Sequence, residues 1–198
     1  MVPVALSDAV AVGEMPTAEH IKILAEAGFR SILNAQPDGE VERLLSAAEA
    51  GSLARAQGLE YRHIPIESRR PSDLQIGAYG AALAELPKPI YACCYSGSRA
   101  AAAWALTAAP HDDADTIIQA VAVAGYDVGF MRAQLDERRA GKTAAPAAAD
   151  ALTDAHAAAV APEAARPTDA SPTAIPPTLM PRVILPVAAS AGGYATSG

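Results

Sequence analysis

Short apolar segments alternate with amphipathic segments along the first 140 residues, and this alternation constrains the fold more than any other feature of the sequence. Parallel strands need long crossover connections, usually helices, so a repeated strand–helix order is typical of a mostly parallel sheet. We predict four strands, at residues 9–12, 31–34, 61–66 and 89–93, and helices at residues 16–28, 41–57, 73–86, 98–107, 114–124 and 128–139. The sequence therefore predicts an α/β domain with a mostly parallel central sheet and helices on both faces.

The composition indicates how such a domain is packed and which partners it excludes. Hydrophobic residues make up 51% of the 198 residues but aromatic residues only 5%, so we expect a core of Ile, Leu, Val and Ala. The net charge of −7 disfavours a nucleic-acid partner, because binding to a phosphate backbone needs a basic face. Small anions stay possible ligands, since they need only one local positive site.

The composition changes near residue 141. Residues 141–198 contain 19 Ala and 8 Pro, which is half of the 16 prolines in the chain. Frequent prolines remove backbone donors and interrupt both helices and sheets, so this segment cannot bury enough apolar surface to offset its conformational entropy. We therefore predict one domain over residues 1–140 and a disordered tail over 141–198. Residues 183–185, an apolar patch in that tail, are a candidate docking segment for an unknown partner.

Targeting and cofactor signals are missing from the sequence. No apolar run approaches the roughly 20 residues of a membrane span, and residues 1–6 lack the regions of a signal peptide. Cys93 and Cys94 are adjacent, so a disulfide between them cannot link distant parts of the fold. We expect a cytoplasmic protein with no membrane partner. The four histidines are scattered, and the sequence predicts no metal site and no other cofactor.

A short polar loop follows the last predicted strand and leads directly into a helix. The Cys94 loop, as we name residues 94–99, consists of Cys94, Tyr95, Ser96, Gly97, Ser98 and Arg99. Backbone N–H groups at the start of a helix bind anions, and an arginine fork grips two oxygens of a tetraoxo anion. The same dipoles and charge favour the thiolate of a nearby cysteine, which is a nucleophile. The loop is therefore predicted to bind a small anionic or phosphorylated substrate through residues 95–99.

The spacing alone leaves the identity of the nucleophile open. Cys93 to Arg99 has the C-x5-R spacing of protein tyrosine phosphatases, but Ser96 stands where their pattern has glycine. Cys94 to Arg99 has the shorter C-x4-R spacing, with Gly97 in the third place after the cysteine. That shorter loop is closer to the loop of rhodanese sulfurtransferases.

Three ordered stretches resemble the phosphatase-like domain family of beta-lactamase hydrolase-like proteins. They are residues 28–34 with 36–40 (GFRSILN and QPDGE), residues 58–66 (GLEYRHIPI), and residues 94–99 with 104–106 (CYSGSR and WAL). The likeness covers roughly residues 5–110. It implies a dual-specificity-phosphatase-like fold and Cys94 as the nucleophile. The chain departs from the family at Tyr95, where an arginine is usual, and at Ala100, where the family has a serine whose hydroxyl helps the thiolate leave.

The resemblance also implies a position for the general acid. In dual-specificity phosphatases an aspartate follows the strand that corresponds to residues 61–66, and here that place holds Glu67. Asp38 follows the neighbouring predicted strand and is a second candidate, although a Pro-Asp-Gly turn by itself explains an aspartate there. Arg69 and Arg70, in the same loop as Glu67, are candidates for recruiting an anion or simply a solvated pair.

Three functions remain open at this point. The first is a phosphatase-like hydrolase, with Cys94 as the nucleophile, Arg99 as the anion ligand and Glu67 or Asp38 as the acid. The second is a sulfurtransferase that carries a persulfide on Cys94. The third is a module that binds an anion or a partner without catalysis, which the missing hydroxyl at Ala100 favours.

The composition break predicts that the domain folds without its tail. A chain that ends at Arg139 is expected to unfold cooperatively, with a melting temperature within a few degrees of the full chain, because the deleted segment has no periodic apolar face. Differential scanning calorimetry of both chains tests this. A large loss of cooperativity on truncation would contradict the predicted boundary.

Overall fold

A five-stranded sheet forms the centre of the protein, whose computed structural model describes residues 2–141. The strands are β1 (Val4–Ala5), β2 (Val10–Glu14), β3 (Ser31–Asn34), β4 (Glu60–His63) and β5 (Ile90–Cys94). Their spatial order is β1-β2-β5-β3-β4; all neighbours are parallel except β1, which pairs antiparallel with β2 at the edge. The predicted α/β class and mostly parallel sheet are confirmed.

The strands are connected and followed by helices, four of which begin at a side-chain cap. The helices are α1 (Ala18–Glu26), α2 (Ala47–Ala56), α3 (Asp73–Glu85), α4 (Ser98–Ala108), α5 (Ala114–Val123), a 3-10 turn (Gly129–Met131) and α6 (Arg132–Arg139). At the start of four of them a side chain accepts a hydrogen bond from the backbone N–H three residues on: Thr17, Ser46, Ser72 and Asp113. Such caps satisfy backbone donors that have no partner within the helix.

The element boundaries differ from the prediction in several places. The helix predicted from residue 41 begins only at Ala47, because Ser46 caps it. The strand predicted for residues 61–66 covers Glu60–His63, and the predicted helix 128–139 starts with the 3-10 turn. Strand β1 was not predicted, since two residues carry no periodic signal. The predicted tail, apart from residue 141, lies outside the described residues.

The pleat of β5 separates two apolar cores. Ile90, Ala92 and Cys94 face the side where α3, α4, α5 and α6 pack, whereas Tyr91 and Cys93 face α1 and α2. Successive side chains of a strand point to opposite faces of the sheet, so the two adjacent cysteines belong to different cores. The prediction of helices on both faces is thereby confirmed. No helix within residues 2–141 is long and apolar enough to cross a membrane.

Helix α4 lies at the centre of the larger core. It contacts β2 and β5 as well as α3, α5 and α6, so its sides are covered by other elements. Four consecutive alanines, residues 100–103, are completely buried in it. Small side chains let the helix sit close to the sheet, and they leave no space for larger ones.

This packing predicts that α4 does not tolerate a larger side chain. Ala102→Leu should lower the free energy of unfolding by about 1–3 kcal/mol, because it forces extra atoms into a filled interior. The control is Ala122→Leu on α5, where the side chain is exposed and the change should be close to neutral. Urea denaturation of the two variants and the parent measures the difference. Equal stability of the two variants would contradict the close packing of α4.

Candidate active site

The carboxyl ends of the parallel strands meet at one edge of the sheet, and the Cys94 loop lies there. Strand β2 ends at Glu14, which is in register with Cys94 at the end of β5. Asn34, at the end of β3, is in register with Cys93 on one side and with His63 on the other. Ligands of parallel α/β sheets bind beyond this edge, so the geometry agrees with the position expected from the sequence.

Cys94 lies at the bottom of its loop. The residue is completely buried, and its Sγ accepts a hydrogen bond from the backbone N–H of Gly97 at 3.1 Å. Gly97 has a φ of 88°, in the left-handed region, and its backbone forms the cap of α4. This conformation favours glycine and turns an N–H group toward the sulfur. The thiol thus sits at the positive end of α4, among donors that stabilise negative charge.

Cys93 occupies a different environment on the opposite face of the sheet. Its Sγ lies 3.8 Å from Met15 Sδ and 3.8 Å from Asn34 Oδ1. Burial raises the pKa of the Cys93 thiol well above its ordinary value, and the neighbouring Cys94 adds to that shift. The side chain therefore stays a neutral thiol within the core. Of the two cysteines, only Cys94 faces the loop.

Arg99 extends from the first turn of α4 into a nearly closed shell of acceptors. Nη1 donates to Glu40 Oε1 at 3.2 Å and to the carbonyl of Ile66 at 2.9 Å. Nη2 donates to Glu40 Oε2 at 2.8 Å and to Gln36 Oε1 at 2.9 Å. A guanidinium has five N–H donors, so these contacts occupy four of them and leave Nε–H. The guanidinium is thereby held in one orientation beside Cys94.

Glu40 and Arg99 hold each other in their charged forms. The hydrogen bond from Arg99, together with its positive charge, lowers the pKa of Glu40. Burial by itself disfavours the charged guanidinium, but the hydrogen bond to Glu40 and the interaction with Cys94 outweigh it and raise the pKa of Arg99. Sequence reasoning did not select Glu40 as a site residue. The signal was available, since Glu40 ends the QPDGE stretch that carries the family resemblance.

The two predicted acids occupy different places. Asp38 Oδ1 accepts a hydrogen bond from the backbone N–H of Ala47 at 2.7 Å, so this carboxylate is bound at the start of α2. Glu67 is exposed and directly follows Ile66, whose carbonyl binds Arg99. Glu67 thus lies one residue from a contact with Arg99, while the carboxylate of Asp38 is bound at the start of α2.

The remaining predicted residues of the Cys94 loop lie at its outer surface. Tyr95 is 47% exposed, and its hydroxyl accepts a hydrogen bond from Arg43 Nη2 at 3.1 Å. The hydroxyls of Ser96 and Ser98 are 3.1 Å apart. The two side chains contact each other, and backbone N–H groups at the start of a helix such as α4 can bind an anion.

Tyr126 and Glu14 were missed by sequence reasoning. A Cβ atom on Gly97 would lie 2.3 Å from Tyr126 Oη, so the tyrosine hydroxyl fills the space above Gly97. Burial raises the pKa of Tyr126, as do the charges of Cys94 and Glu14, so the phenol stays neutral near both. Neither position has a local sequence signal, because each reaches the site only through the fold. Within the described residues, no group of three His, Cys, Asp or Glu side chains could hold a metal ion.

Solved structures share this architecture. A candidate phosphatase from Neisseria meningitidis superposes with a TM-score of 0.63 at 22% identity, covering 69% of this chain and 98% of that one. The kinase-associated phosphatase, solved with its catalytic-site cysteine replaced by serine, gives a TM-score of 0.51 at 15% identity and covers 67% of this chain and 85% of that one. At these identities the likeness establishes the fold, which is that of dual-specificity phosphatases and their relatives.

Sequence comparisons confirm the family resemblance. A beta-lactamase hydrolase-like protein from Agrobacterium fabrum is 31% identical over 100 residues, which are 50% of this chain and 23% of that protein. The chain thus matches about a quarter of the length of this curated relative. The family model of the beta-lactamase hydrolase-like protein, phosphatase-like domain, matches residues 4–111, more than half of the chain, and includes the Cys94 loop. The chain therefore belongs to the phosphatase-like domain family of beta-lactamase hydrolase-like proteins.

Proposed function

We propose that this domain is a cysteine-dependent phosphatase that hydrolyses phosphoric monoesters through Cys94. The observation that carries the proposal is the environment of the Cys94 sulfur, which accepts the N–H of Gly97 at 3.1 Å at the start of α4 beside the guanidinium of Arg99. A thiolate there is stabilised by the helix dipole and by charge, and the same donors bind the oxygens of a phosphoryl group. The phosphatase fold of its structural neighbours supports this assignment.

The proposed reaction has two steps. In the first, the Cys94 thiolate attacks phosphorus, the S–P bond forms, and the ester P–O bond breaks while an acid protonates the leaving oxygen. The amides of the Cys94 loop and Nε–H of Arg99 stabilise the charge on the non-bridging oxygens. In the second, water attacks phosphorus, the S–P bond breaks, and inorganic phosphate and the thiolate are released.

Glu67 is the acid that we favour for the first step. It is exposed at the rim of the site and follows Ile66, which contacts Arg99 directly. An exposed side chain one residue from this contact has the freedom to reach the leaving oxygen. Asp38 is less suited, since one of its oxygens already accepts a hydrogen bond from Ala47.

A sulfurtransferase is the second candidate, and the contacts of Arg99 favour it. Four N–H groups of that guanidinium already bind Glu40, Gln36 and Ile66, so the loop amides supply most of the free donors. A persulfide on Cys94 needs backbone amide donors, but it does not need an arginine that binds two oxygens at once. In that reaction the thiolate takes the outer sulfur of thiosulfate and releases sulfite, and cyanide then removes the sulfur as thiocyanate.

Parallel assays of the full chain distinguish the two reactions. We expect hydrolysis of a chromogenic aryl phosphate, and no faster formation of thiocyanate from thiosulfate and cyanide than in the absence of protein. Cys94→Ser should abolish the activity, because it removes the nucleophile. Cys93→Ala should retain most of it, because Cys93 faces the opposite core. Thiocyanate formation without phosphatase activity would favour the sulfurtransferase, and an inactive but folded Cys93→Ala variant would contradict the assignment of Cys94.

Anion binding is expected whichever reaction occurs. Phosphate, vanadate or tungstate should raise the melting temperature at constant ionic strength, whereas chloride should not, because bound ligand adds about 2.7 kcal/mol of stability at a hundredfold excess over Kd. Arg99→Ala should abolish this increase in melting temperature, whereas Arg69→Ala should retain it, since each of these anions fills only the Cys94 loop. Thermal denaturation of the three proteins measures this. Equal stabilisation of the parent and Arg99→Ala would show that the Cys94 loop does not bind anions in this way.

A further inference from the structure

Two arginines share one aromatic ring on the surface of the domain. The guanidinium carbon of Arg69 lies 4.8 Å from the ring centre of Phe130, and that of Arg70 lies 5.8 Å from it. Phe130 is 41% exposed, and both arginines are exposed. The Ser68 hydroxyl accepts from the N–H of Arg70 and donates to its carbonyl, which orders the loop that carries the pair. We name these three residues, Arg69, Arg70 and Phe130, the arginine–phenylalanine cluster.

The cluster lies where two segments beside the Cys94 loop meet. The first segment leaves the site at Ile66, whose carbonyl is 2.9 Å from Arg99 Nη1, and reaches Arg69 three residues later. The second leaves it at Tyr126, whose hydroxyl occupies the space above Gly97, and reaches Phe130 four residues later. Three residues span at most about 10 Å of extended chain. The backbone of Arg69 is therefore at most about 10 Å from that of Ile66, whose carbonyl contacts the guanidinium of Arg99.

The charges of the cluster are not neutralised by the protein. Within residues 2–141, neither Arg69 nor Arg70 has a carboxylate oxygen within 4.0 Å. Four other arginines of the same region are ion-paired: Arg62, Arg99, Arg132 and Arg138. The chain carries a net charge of −7, and Arg69 and Arg70 place two adjacent positive charges on one aromatic ring. Stacking on a ring orients a guanidinium while its in-plane N–H groups stay available to an anion.

We propose that the arginine–phenylalanine cluster is a second anion subsite, which selects small substrates with a further phosphoryl group up to about 10 Å from the one that Cys94 attacks. This inference rests on the proposed phosphatase function, since it requires the first phosphoryl group to occupy the Cys94 loop. The short span between the two sites favours two phosphoryl groups on one small molecule. The cluster would then raise affinity for polyphosphorylated substrates without contacting the reacting atoms.

Binding of two inorganic ligands to the full chain tests the proposal. Orthophosphate fills one site, whereas a linear inorganic pentaphosphate is long enough to reach the second, and the Cys94→Ser background prevents turnover. Calorimetric titration at constant ionic strength should show pentaphosphate binding at least about tenfold more tightly than orthophosphate, which corresponds to about 1.4 kcal/mol. Arg69→Ala and Arg70→Ala should each reduce this preference and leave the orthophosphate Kd unchanged. Phe130→Leu should reduce it too, because the arginines lose the ring that orients them.

Arg30→Ala is the matched control. Arg30 is exposed and precedes β3, so it lies at the opposite edge of the sheet, and its removal changes the net charge equally. Absence of orthophosphate binding would contradict the proposed phosphatase function itself. Orthophosphate binding without a pentaphosphate preference would overturn only the second subsite. The same loss of preference in Arg30→Ala as in Arg69→Ala would show a general charge effect and would also overturn it.

Discussion

The close packing of α4 against β5 is the constraint on which the rest of the structure depends. Alanines 100–103 are completely buried, so the helix lies against the sheet and its first turn is held next to the end of β5. Because that turn begins at Gly97, its free N–H groups and the Cys94 sulfur share one small volume. A larger side chain in this helix would push its amino end away from the thiol. The close packing that the small residues of α4 allow therefore also fixes the geometry of the site.

Arg99 joins three separate segments around that turn. It donates to Gln36 and Glu40, which follow β3, and to Ile66, which follows β4. The carboxyl ends of three parallel strands are thus tied to one guanidinium, whose charge is balanced by Glu40 and lies beside Cys94. Charge-assisted bonds of this kind are short and directional, so they fix the loops as well as the cation. The site is consequently assembled before any ligand binds.

The spacing of the Cys94 loop left two nucleophiles open, and the pleat of β5 separates them. Adjacent strand residues point to opposite faces, which puts Cys93 in the core with α1 and α2 and Cys94 under the loop. Asp38 illustrates the reverse case. Its position after a strand predicted a carboxylate at the site edge, but local hydrogen bonding binds it to Ala47 at the start of α2. Residue types and spacing predict which residues lie near the site. The fold decides which of their side chains face it.

The sequence by itself determined the strand–helix alternation and the Cys94 loop, because each depends on residues a few positions apart. Only the tertiary structure decided the partners of Arg99, since Glu40 and Ile66 are 59 and 33 positions away along the chain. It likewise placed Tyr126 above Gly97, a contact that no local pattern encodes. The physical reason is that a side chain at the edge of a parallel sheet is surrounded by several distant loops. Their meeting point is set by the packing of the whole sheet and its helices.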